Sequence, residues 1–139
     1  MDLLKISDHM NRHPVTFTEE MSVEEAVNKL ILAEQLGGPV INKEKKVIGF
    51  VSEQDCLSRM LSCTYHLQQS ASVKDVMRTE VLTVKSYHGI VDLAQTMLMA
   101  KPKVYPVVDD DGYLLGVISR TDVLRAIDLE LHSHYKAVS

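Results

Sequence analysis

The sequence predicts an α/β fold built from two pseudo-symmetric β-α-β-β-α repeats. The segment Gly49–Asp55 recurs as Gly116–Asp122, and the two copies lie 67 residues apart (116 − 49). Pro39 and Pro106, each followed by two β-branched residues, keep the same separation. In both copies the hydrophobic pattern changes in the order strand, helix, strand, strand, helix. An internal repeat over such a length determines the architecture before any single motif is interpreted.

The first repeat is predicted to span residues 1–61. Its alternating pattern predicts a short strand at Val15–Thr18. A helix follows from Ser22, which has capping-box spacing with Glu25, and Gly37-Gly38-Pro39 is expected to end it. Two strands around a polar turn and a second helix complete the repeat, at Pro39–Ile41, Val47–Val51 and about Glu53–Met60.

The second repeat is predicted at residues 72–131, with the same order of elements. Pro102 ends its first helix, and Asp111-Gly112 is typical of a hairpin turn. Residues 62–71 are predicted to be a linker and residues 132–139 a frayed tail. The strands are expected at Val81–Val84, Val104–Val108 and Leu114–Ile118, and the helices at Val91–Ala100 and Thr121–Leu131.

Composition argues against several classes of protein. The chain has 139 residues, of which 45% are hydrophobic, and this suits one compact domain of two halves. It lacks the run of about 20 apolar residues that a membrane span needs, and its start lacks the features of a signal peptide. Two cysteines are too few for a disulfide framework, so a cytoplasmic location is expected. A net charge of −4 and the absence of tryptophan argue against a nucleic-acid partner.

The repeated Gly-x-x-Ser-x-x-Asp motif predicts the start of a helix. Ser52 and Ser119 are expected to accept hydrogen bonds from the first amides of their helices. Asp55 and Asp122 are expected to complement the helix dipoles. This structural role is compatible with ligand binding, because a helix N-terminus also attracts anions. A carboxylate that faces a cleft can in addition accept hydrogen bonds from the two hydroxyls of a ribose.

The ordered and repeated motifs resemble tandem cystathionine-β-synthase (CBS) domains, the pair called a Bateman module. The resemblance covers about residues 5–130. It rests on Asp8-x-Met10 and Asp75-x-Met77, on Pro39-Val40 and Pro106-Val107, and on the two Gly-x-x-Ser-x-x-Asp motifs. It implies a stand-alone regulatory protein that senses an adenosyl ligand such as AMP, ADP, ATP or S-adenosylmethionine. It implies no required cofactor.

The resemblance also implies which residues form the ligand sites. The ribose would be bound by Asp55 and Asp122. Phosphate or ribose would be contacted by Ser52, Ser119, Arg120 and Thr121. In one copy the base would lie against Pro14, Val15, Thr16, Gly37, Gly38 and Pro39. In the other copy it would lie against Val81, Leu82, Thr83, Val104, Tyr105 and Pro106.

The two copies differ in charge after the motif serine. The second copy has Arg120 and the first has Glu53, and Lys101 and Lys103 add positive charge near the second cleft. A guanidinium at this place can bind phosphate, whereas a glutamate repels it. The site with Asp122 is therefore predicted to bind nucleotide more tightly, and the other site to prefer an uncharged adenosyl group or to stay empty. The alternative is that Arg120 is a solvated surface residue.

No catalytic residue and no metal site is predicted. The six histidines have no ligand spacing with each other or with the cysteines, and Cys56 has no histidine base near it in the sequence. We expect a binding protein that is not an enzyme and that signals to a protein outside this chain. The resemblance also implies a homodimer. The alternative function is a dimeric interaction or scaffold module without a physiological ligand.

Overall fold

The computed structural model describes residues 4–66, 71–100 and 102–138. The prediction of an α/β fold with two related repeats is confirmed. The helices are α1 Val23–Ala33, α2 Glu53–His66, α3 Val73–Val76, α4 Ile90–Met99 and α5 Arg120–Val138. The strands are β1 Gly37–Ile41, β2 Val47–Ser52, β3 Val84–Lys85, β4 Val104–Val108 and β5 Leu114–Ser119. A 3-10 turn at Ile6–Asp8 precedes them.

Each repeat contributes one small sheet. In the first sheet β1 pairs antiparallel with β2, and in the second β4 pairs antiparallel with β5 and parallel with β3. The strand predicted at Val15–Thr18 is wrong in extent, since within it Phe17 forms a single parallel bridge, to Val40. The strand predicted at Val81–Val84 begins only at Val84. The reason is the same in both repeats, because the residues just before these positions cross from one sheet to the other.

The end of the first helix also differs from the prediction. Helix α1 ends at Ala33, where Glu34 adopts a left-handed cap with φ of 54°. Gly37 and Gly38 therefore do not end the helix and instead begin β1. Glycine is required at position 38 because a Cβ there would lie 2.6 Å from the carbonyl oxygen of Val15.

Two helices extend past the ends expected from the sequence. Helix α2 continues to His66 and α5 to Val138. The predicted linker at residues 62–71 is therefore helical at its start, and the predicted frayed tail at 132–139 is helical through Val138. Neither stretch contains a glycine or proline that would end a helix. Residues 67–70 of the predicted linker lie outside the described residues.

The segment that precedes each repeat packs on the other repeat. Ile6 is fully buried in the core of the second repeat, and Val73, 67 residues later (73 − 6), is fully buried in the core of the first. The Ile6 amide donates to the His88 carbonyl at 3.0 Å. The Val73 amide donates to the Met21 carbonyl at 2.7 Å, and these two acceptors are also 67 residues apart (88 − 21). The exchanged segments join the two repeats into one folded unit.

The chain crosses between the two sheets twice, at residues 11–17 and 78–84, called here the first and second crossing segments. The first begins at Asn11, whose backbone exchanges hydrogen bonds of 2.8 and 2.9 Å with Val117 of β5, and it ends against β1. The second begins at Arg78, whose backbone exchanges two hydrogen bonds of 2.9 Å with the middle of β2, and it ends in β3. The crossing segments therefore form two related walls across the gap between the sheets.

Candidate functional site

A cavity of about 570 Å³ lies between the two repeats, and its size is typical of a small-molecule site. We call it cleft A. Its wall from the first repeat consists of Leu36, Gly37, Phe50, Ser52, Glu53 and Gln54. Its opposite wall, from the second crossing segment and the second repeat, consists of Arg78, Glu80, Val81, Leu82, Pro102, Lys103 and Val104. The serine motif of one repeat therefore faces apolar residues of the other.

Cleft A groups the predicted base-binding residues across the repeats. Val81, Leu82 and Val104 of the second copy line the same cavity as Ser52, which belongs to the motif of the first copy. The second crossing segment explains this grouping, because it leaves β2 of the first repeat before it reaches its own sheet. A predicted base-binding segment thus lies beside the motif of the other copy, a grouping that the order of the sequence did not indicate.

A second cleft, cleft B, follows from the pseudo-twofold relation between the repeats. Its positions are 67 residues away from those of cleft A and include Asn11, His13, Pro14, Val15, Ser119, Arg120 and Thr121. The structure obeys this relation where the crossing segments begin, since the Asn11–Val117 pair has the place in cleft B that the pair at Arg78 has in cleft A (78 − 11 = 67). The first crossing segment and the second motif therefore share cleft B.

Several predicted base-binding residues lie away from the lining of cleft A. Gly37 lines it, whereas four neighbours are enclosed by the sheets: Gly38, Pro39, Tyr105 and Pro106. Tyr105 is 1% exposed and packs in the core of the second repeat. The Thr16 carbonyl accepts a hydrogen bond from Lys29 Nζ at 2.7 Å, and Thr83 is exposed. The sequence did not separate these positions because strand residues on the cleft side and on the core side alternate.

Both motifs form the helix caps expected from the sequence. At the start of α2, the Ser52 hydroxyl accepts from the Asp55 amide at 3.1 Å and donates to Asp55 Oδ2 at 2.8 Å. At the start of α5, Ser119 Oγ accepts from the Asp122 amide at 3.1 Å. Asp122 Oδ2 in turn accepts from the Ser119 amide at 2.9 Å. The capping prediction is confirmed, and Oδ1 of each aspartate lies outside the cap.

Asp55 has a partner that the sequence analysis missed. Arg78 donates from Nε to Asp55 Oδ2 and from Nη2 to Asp55 Oδ1, both at 3.3 Å. The hydrogen bonding to Asp55 and the charge of its carboxylate raise the pKa of Arg78. One signal for this contact was present in the repeat, which aligns Arg78 with Asn11 of the first copy (78 − 11 = 67).

Asp122 pairs within its own helix. Arg125 Nη1, three residues along α5, lies 3.5 Å from Asp122 Oδ1. The side chains of Asp55 and Asp122 are exposed to nearly the same extent, 18 and 19%. The two candidate ribose-binding carboxylates therefore differ in their cationic partner and not in their burial.

The walls of the two clefts differ in charge. Cleft A carries Glu53 and Glu80, and the corresponding positions of cleft B carry Arg120 and His13. All four residues are exposed. The structure thus places the charge difference noted in the sequence at the mouths of the clefts, and it adds a second position to it.

The two lysines expected near the second cleft have different outcomes. Lys103 lines cleft A, and its carbonyl accepts a hydrogen bond from the Arg120 amide at 2.8 Å. It therefore lies between the two clefts. Lys101 lies outside the described residues.

Other candidate groups can also be placed. Cys56 is 1% exposed, and its burial, together with the charge of Asp55, raises the pKa of its thiol. Among the described residues, no three His, Cys, Asp or Glu side chains lie close enough together to hold a metal ion. Within the same part of the chain, no helix combines the length and the apolar character that a membrane crossing needs.

The sequence matches the family model of the CBS domain twice, over residues 6–62 and 73–129. It is 24% identical to the uncharacterized protein MJ1426 of Methanocaldococcus jannaschii over 156 residues, which cover 91% of this chain and 92% of that protein. Its structure is similar to that of CBSX2 from Arabidopsis thaliana in complex with AMP, with a TM-score of 0.80 and 27% identity, covering 93% of this chain and 98% of that one.

The fold is also similar to the CBS domain pair of protein MJ0100 in complex with 5′-methylthioadenosine and S-adenosyl-L-methionine. The TM-score is 0.79 and the identity 20%, with 91% of this chain and 97% of that one covered. Relatives of other lengths exist as well. The chain spans 15% of the A-adding tRNA nucleotidyltransferase of Aquifex aeolicus, to which it is 27% identical. It spans 42% of protein MJ1225 of Methanocaldococcus jannaschii.

Proposed function

Because the chain belongs to the CBS domain family, we propose that it is a regulatory module that binds an adenosyl ligand between its two repeats. The ligand would be AMP, ADP, ATP or S-adenosylmethionine. Cleft A carries the proposal, since a capped helix start with Ser52 there faces the apolar residues Val81 and Leu82. The similarity to CBSX2, whose structure contains AMP, supports the same class of ligand.

Each part of such a ligand meets a suitable group. The ribose hydroxyls would donate to Asp55 in cleft A or to Asp122 in cleft B. A phosphate would lie at the start of α2 or α5, where backbone amides and the helix dipole favour an anion. The side chains placed there are Ser52 in cleft A and Ser119, Arg120 and Thr121 in cleft B. The adenine would lie against the crossing segments, at Leu82 or at Pro14.

Cleft B is proposed to bind nucleotides more tightly than cleft A. Arg120 and His13 replace Glu53 and Glu80, so the charge near a bound phosphate changes from repulsive to attractive. A hydrogen bond to a charged group contributes about 1.5–3 kcal/mol, and solvent screening at these exposed positions reduces the effect. The difference in affinity is therefore expected at about tenfold, and it should shrink as salt is added.

The proposed activity is ligand binding and not catalysis. The ligand would remain unchanged, and an assay for phosphate release from ATP is expected to show none above the buffer rate. A cytoplasmic location is proposed with it. Cys56 is a free thiol in the structure, and a reducing compartment suits it.

We also propose that the chain forms a homodimer through α1 and α2. A groove of about 400 Å³ between these helices is lined by Val27, Leu30, Ile31, Glu53, Gln54, Cys56, Leu57 and Met60. Ile31 is 68% exposed and Leu57 58% exposed, so a second copy on this surface would remove apolar area from water. Light scattering should give about twice the chain mass of 15.6 kDa, and Leu57→Glu should restore the monomer.

Thermal shift with AMP, ADP, ATP, S-adenosylmethionine and GTP tests the proposed ligand class. A ligand at about 100 times its dissociation constant adds about 2.7 kcal/mol, which raises the melting temperature by several degrees. We expect a shift with adenosyl ligands and a smaller shift with GTP. Asp122→Ala should reduce it more than Asp55→Ala, and Asp128→Ala, on the surface of α5, should leave it unchanged. A flat response to all five ligands would instead favour the interaction module without a ligand.

A further inference from the structure

Arg78 occupies the carboxylate that a ribose would use in cleft A. Its Nε lies 3.3 Å from Asp55 Oδ2 and its Nη2 lies 3.3 Å from Asp55 Oδ1. The Ser52 hydroxyl also donates to Oδ2, at 2.8 Å. Both oxygens that could accept the two ribose hydroxyls therefore already have donors from the protein.

In cleft B an asparagine holds the place of this arginine. Asn11 is neutral, and its Oδ1 accepts a hydrogen bond from the His13 amide at 2.9 Å. Asp122 meets Arg125 of its own helix, at 3.5 Å, and through Oδ1 alone. The ribose carboxylate thus carries a guanidinium fork from the crossing segment in cleft A and no such fork in cleft B.

The side chain of Arg78 can move while its backbone stays in place. The side chain is 68% exposed, whereas the backbone is held by two hydrogen bonds of 2.9 Å to Phe50. An ion pair with so exposed a partner is weak, so a ligand can displace it. The released guanidinium then favours a new anion, and a phosphate suits its bidentate geometry.

We propose that Arg78 is a specificity-determining residue of cleft A, which exchanges Asp55 for the phosphate of a nucleotide when the ribose takes over that carboxylate. AMP supplies both groups that the exchange needs. Adenosine supplies the ribose hydroxyls alone and leaves the guanidinium without an anion. Cleft A therefore selects nucleotides over neutral nucleosides, which reverses the expectation drawn from Glu53 that the first site prefers an uncharged group.

The acidic residues of cleft A do not cancel this selectivity. Glu53 and Glu80 are both exposed, and they lower the affinity for any phosphate in the cleft. They act in the same way whether position 78 is arginine or asparagine. The ratio of the AMP affinity to the adenosine affinity, compared between variants at position 78, therefore isolates the contribution of Arg78.

The inference rests on the proposed function, and its test isolates cleft A. Asp122→Asn removes the ribose carboxylate of cleft B, while the amide oxygen can still accept from the Ser119 amide and keep the cap. In this background, isothermal titration calorimetry measures AMP and adenosine with Arg78, Arg78→Asn and Arg78→Lys. Lys74→Asn, an exposed position on α3, is the control for the same change of charge.

Arg78→Asn is expected to lower the ratio of AMP affinity to adenosine affinity about tenfold, by weakening AMP and strengthening adenosine. Arg78→Lys keeps the charge without the planar fork, so its ratio should fall between the two. Lys74→Asn should leave the ratio unchanged. An equal ratio in Arg78 and Arg78→Asn proteins, including the case in which both affinities rise together, would overturn the proposal.

Failure of this inference can be distinguished from failure of the proposed function. If the wild-type protein binds AMP and the Asp122→Asn protein does not, cleft A is not a nucleotide site. The proposal for Arg78 is then overturned, while the proposed function stands on cleft B. If the wild-type protein binds none of the adenosyl ligands, both are overturned. Circular dichroism and melting temperatures establish that each variant is folded.

Discussion

The backbone amide of Asn11 donates to the Val117 carbonyl at 2.8 Å, and the Val117 amide donates back to the Asn11 carbonyl at 2.9 Å. This pair attaches the start of the first crossing segment to a strand of the second repeat. Arg78 and Phe50 form the matching pair, with both bonds at 2.9 Å. Because each repeat lends the other a segment, the stabilities of the two halves are expected to be coupled.

Ile6→Ala is expected to destabilise the whole protein, although Ile6 lies near the start of the chain. Ile6 is fully buried in the core of the second repeat, so its loss should lower the free energy of unfolding by about 2–5 kcal/mol. Lys5→Ala, at the exposed neighbouring position, should change it by less than about 0.5 kcal/mol. Urea unfolding followed by circular dichroism measures both. An unchanged Ile6→Ala midpoint would contradict the exchanged packing.

Gly49→Ala is expected to disturb the contact between β2 and the second crossing segment. A Cβ at Gly49 would lie 2.7 Å from Met77 Sδ and 2.9 Å from the Arg78 carbonyl oxygen. The overpacking should cost about 1–3 kcal/mol, and each 1 kcal/mol lowers the melting temperature by roughly 3–5 °C. Gly89→Ala is the control, since the nearest atom to a Cβ there lies 3.7 Å away. Equal melting temperatures for the two variants would count against this contact.

Exchanging the charges after the motif serines should exchange the preference between the clefts. Arg120→Glu is expected to weaken AMP binding at cleft B about tenfold, and Glu53→Arg to strengthen it at cleft A, because each alters the charge beside the phosphate. Adenosine binding should change little in either variant. Calorimetry at low and high salt measures these affinities, with Lys74→Glu as the charge control. If Arg120→Glu left the AMP affinity intact, Arg120 would be the solvated surface residue of the alternative interpretation.

Cys56 is expected to react slowly with thiol reagents in the folded protein. It is 1% exposed, and its raised pKa lowers the thiolate fraction at any pH below that value. In a Cys63→Ser protein, labelling by iodoacetamide at pH 8 should therefore be slow, and it should accelerate at higher pH and in denaturant. Rapid labelling of the folded protein at pH 8 would show that this side of α2 opens readily.

The repeated pattern predicted the elements well where local interactions determine them. The caps at Ser52 and Ser119 were predictable because a serine followed three residues later by an acid satisfies its own helix start. The ends of α2 and α5 were not predictable to the same accuracy. A solvated helix without a glycine or proline continues until its backbone loses partners, and no side-chain pattern announces that point.

The candidate site was predictable as a set of residue types and not as a geometry. The motif residues Ser52 and Ser119 were named correctly as caps, and their ligand-binding role remains a prediction. Tyr105 was placed with the base-binding residues, but it lies in a core, because side chains alternate between the faces of β4. Arg78 was overlooked because its partner Asp55 lies 23 residues away along the chain.

By itself, the sequence determined the two repeats, the order of their elements, the capping motifs and the resemblance to CBS domains. These features depend on local periodicity and on the comparison of one copy with the other. Only the tertiary structure decided that Val81 lines a cleft with Ser52 and that Asp55 meets an arginine. Those contacts depend on where each crossing segment leaves one sheet for the other, and burial and pairing between distant residues determine that path.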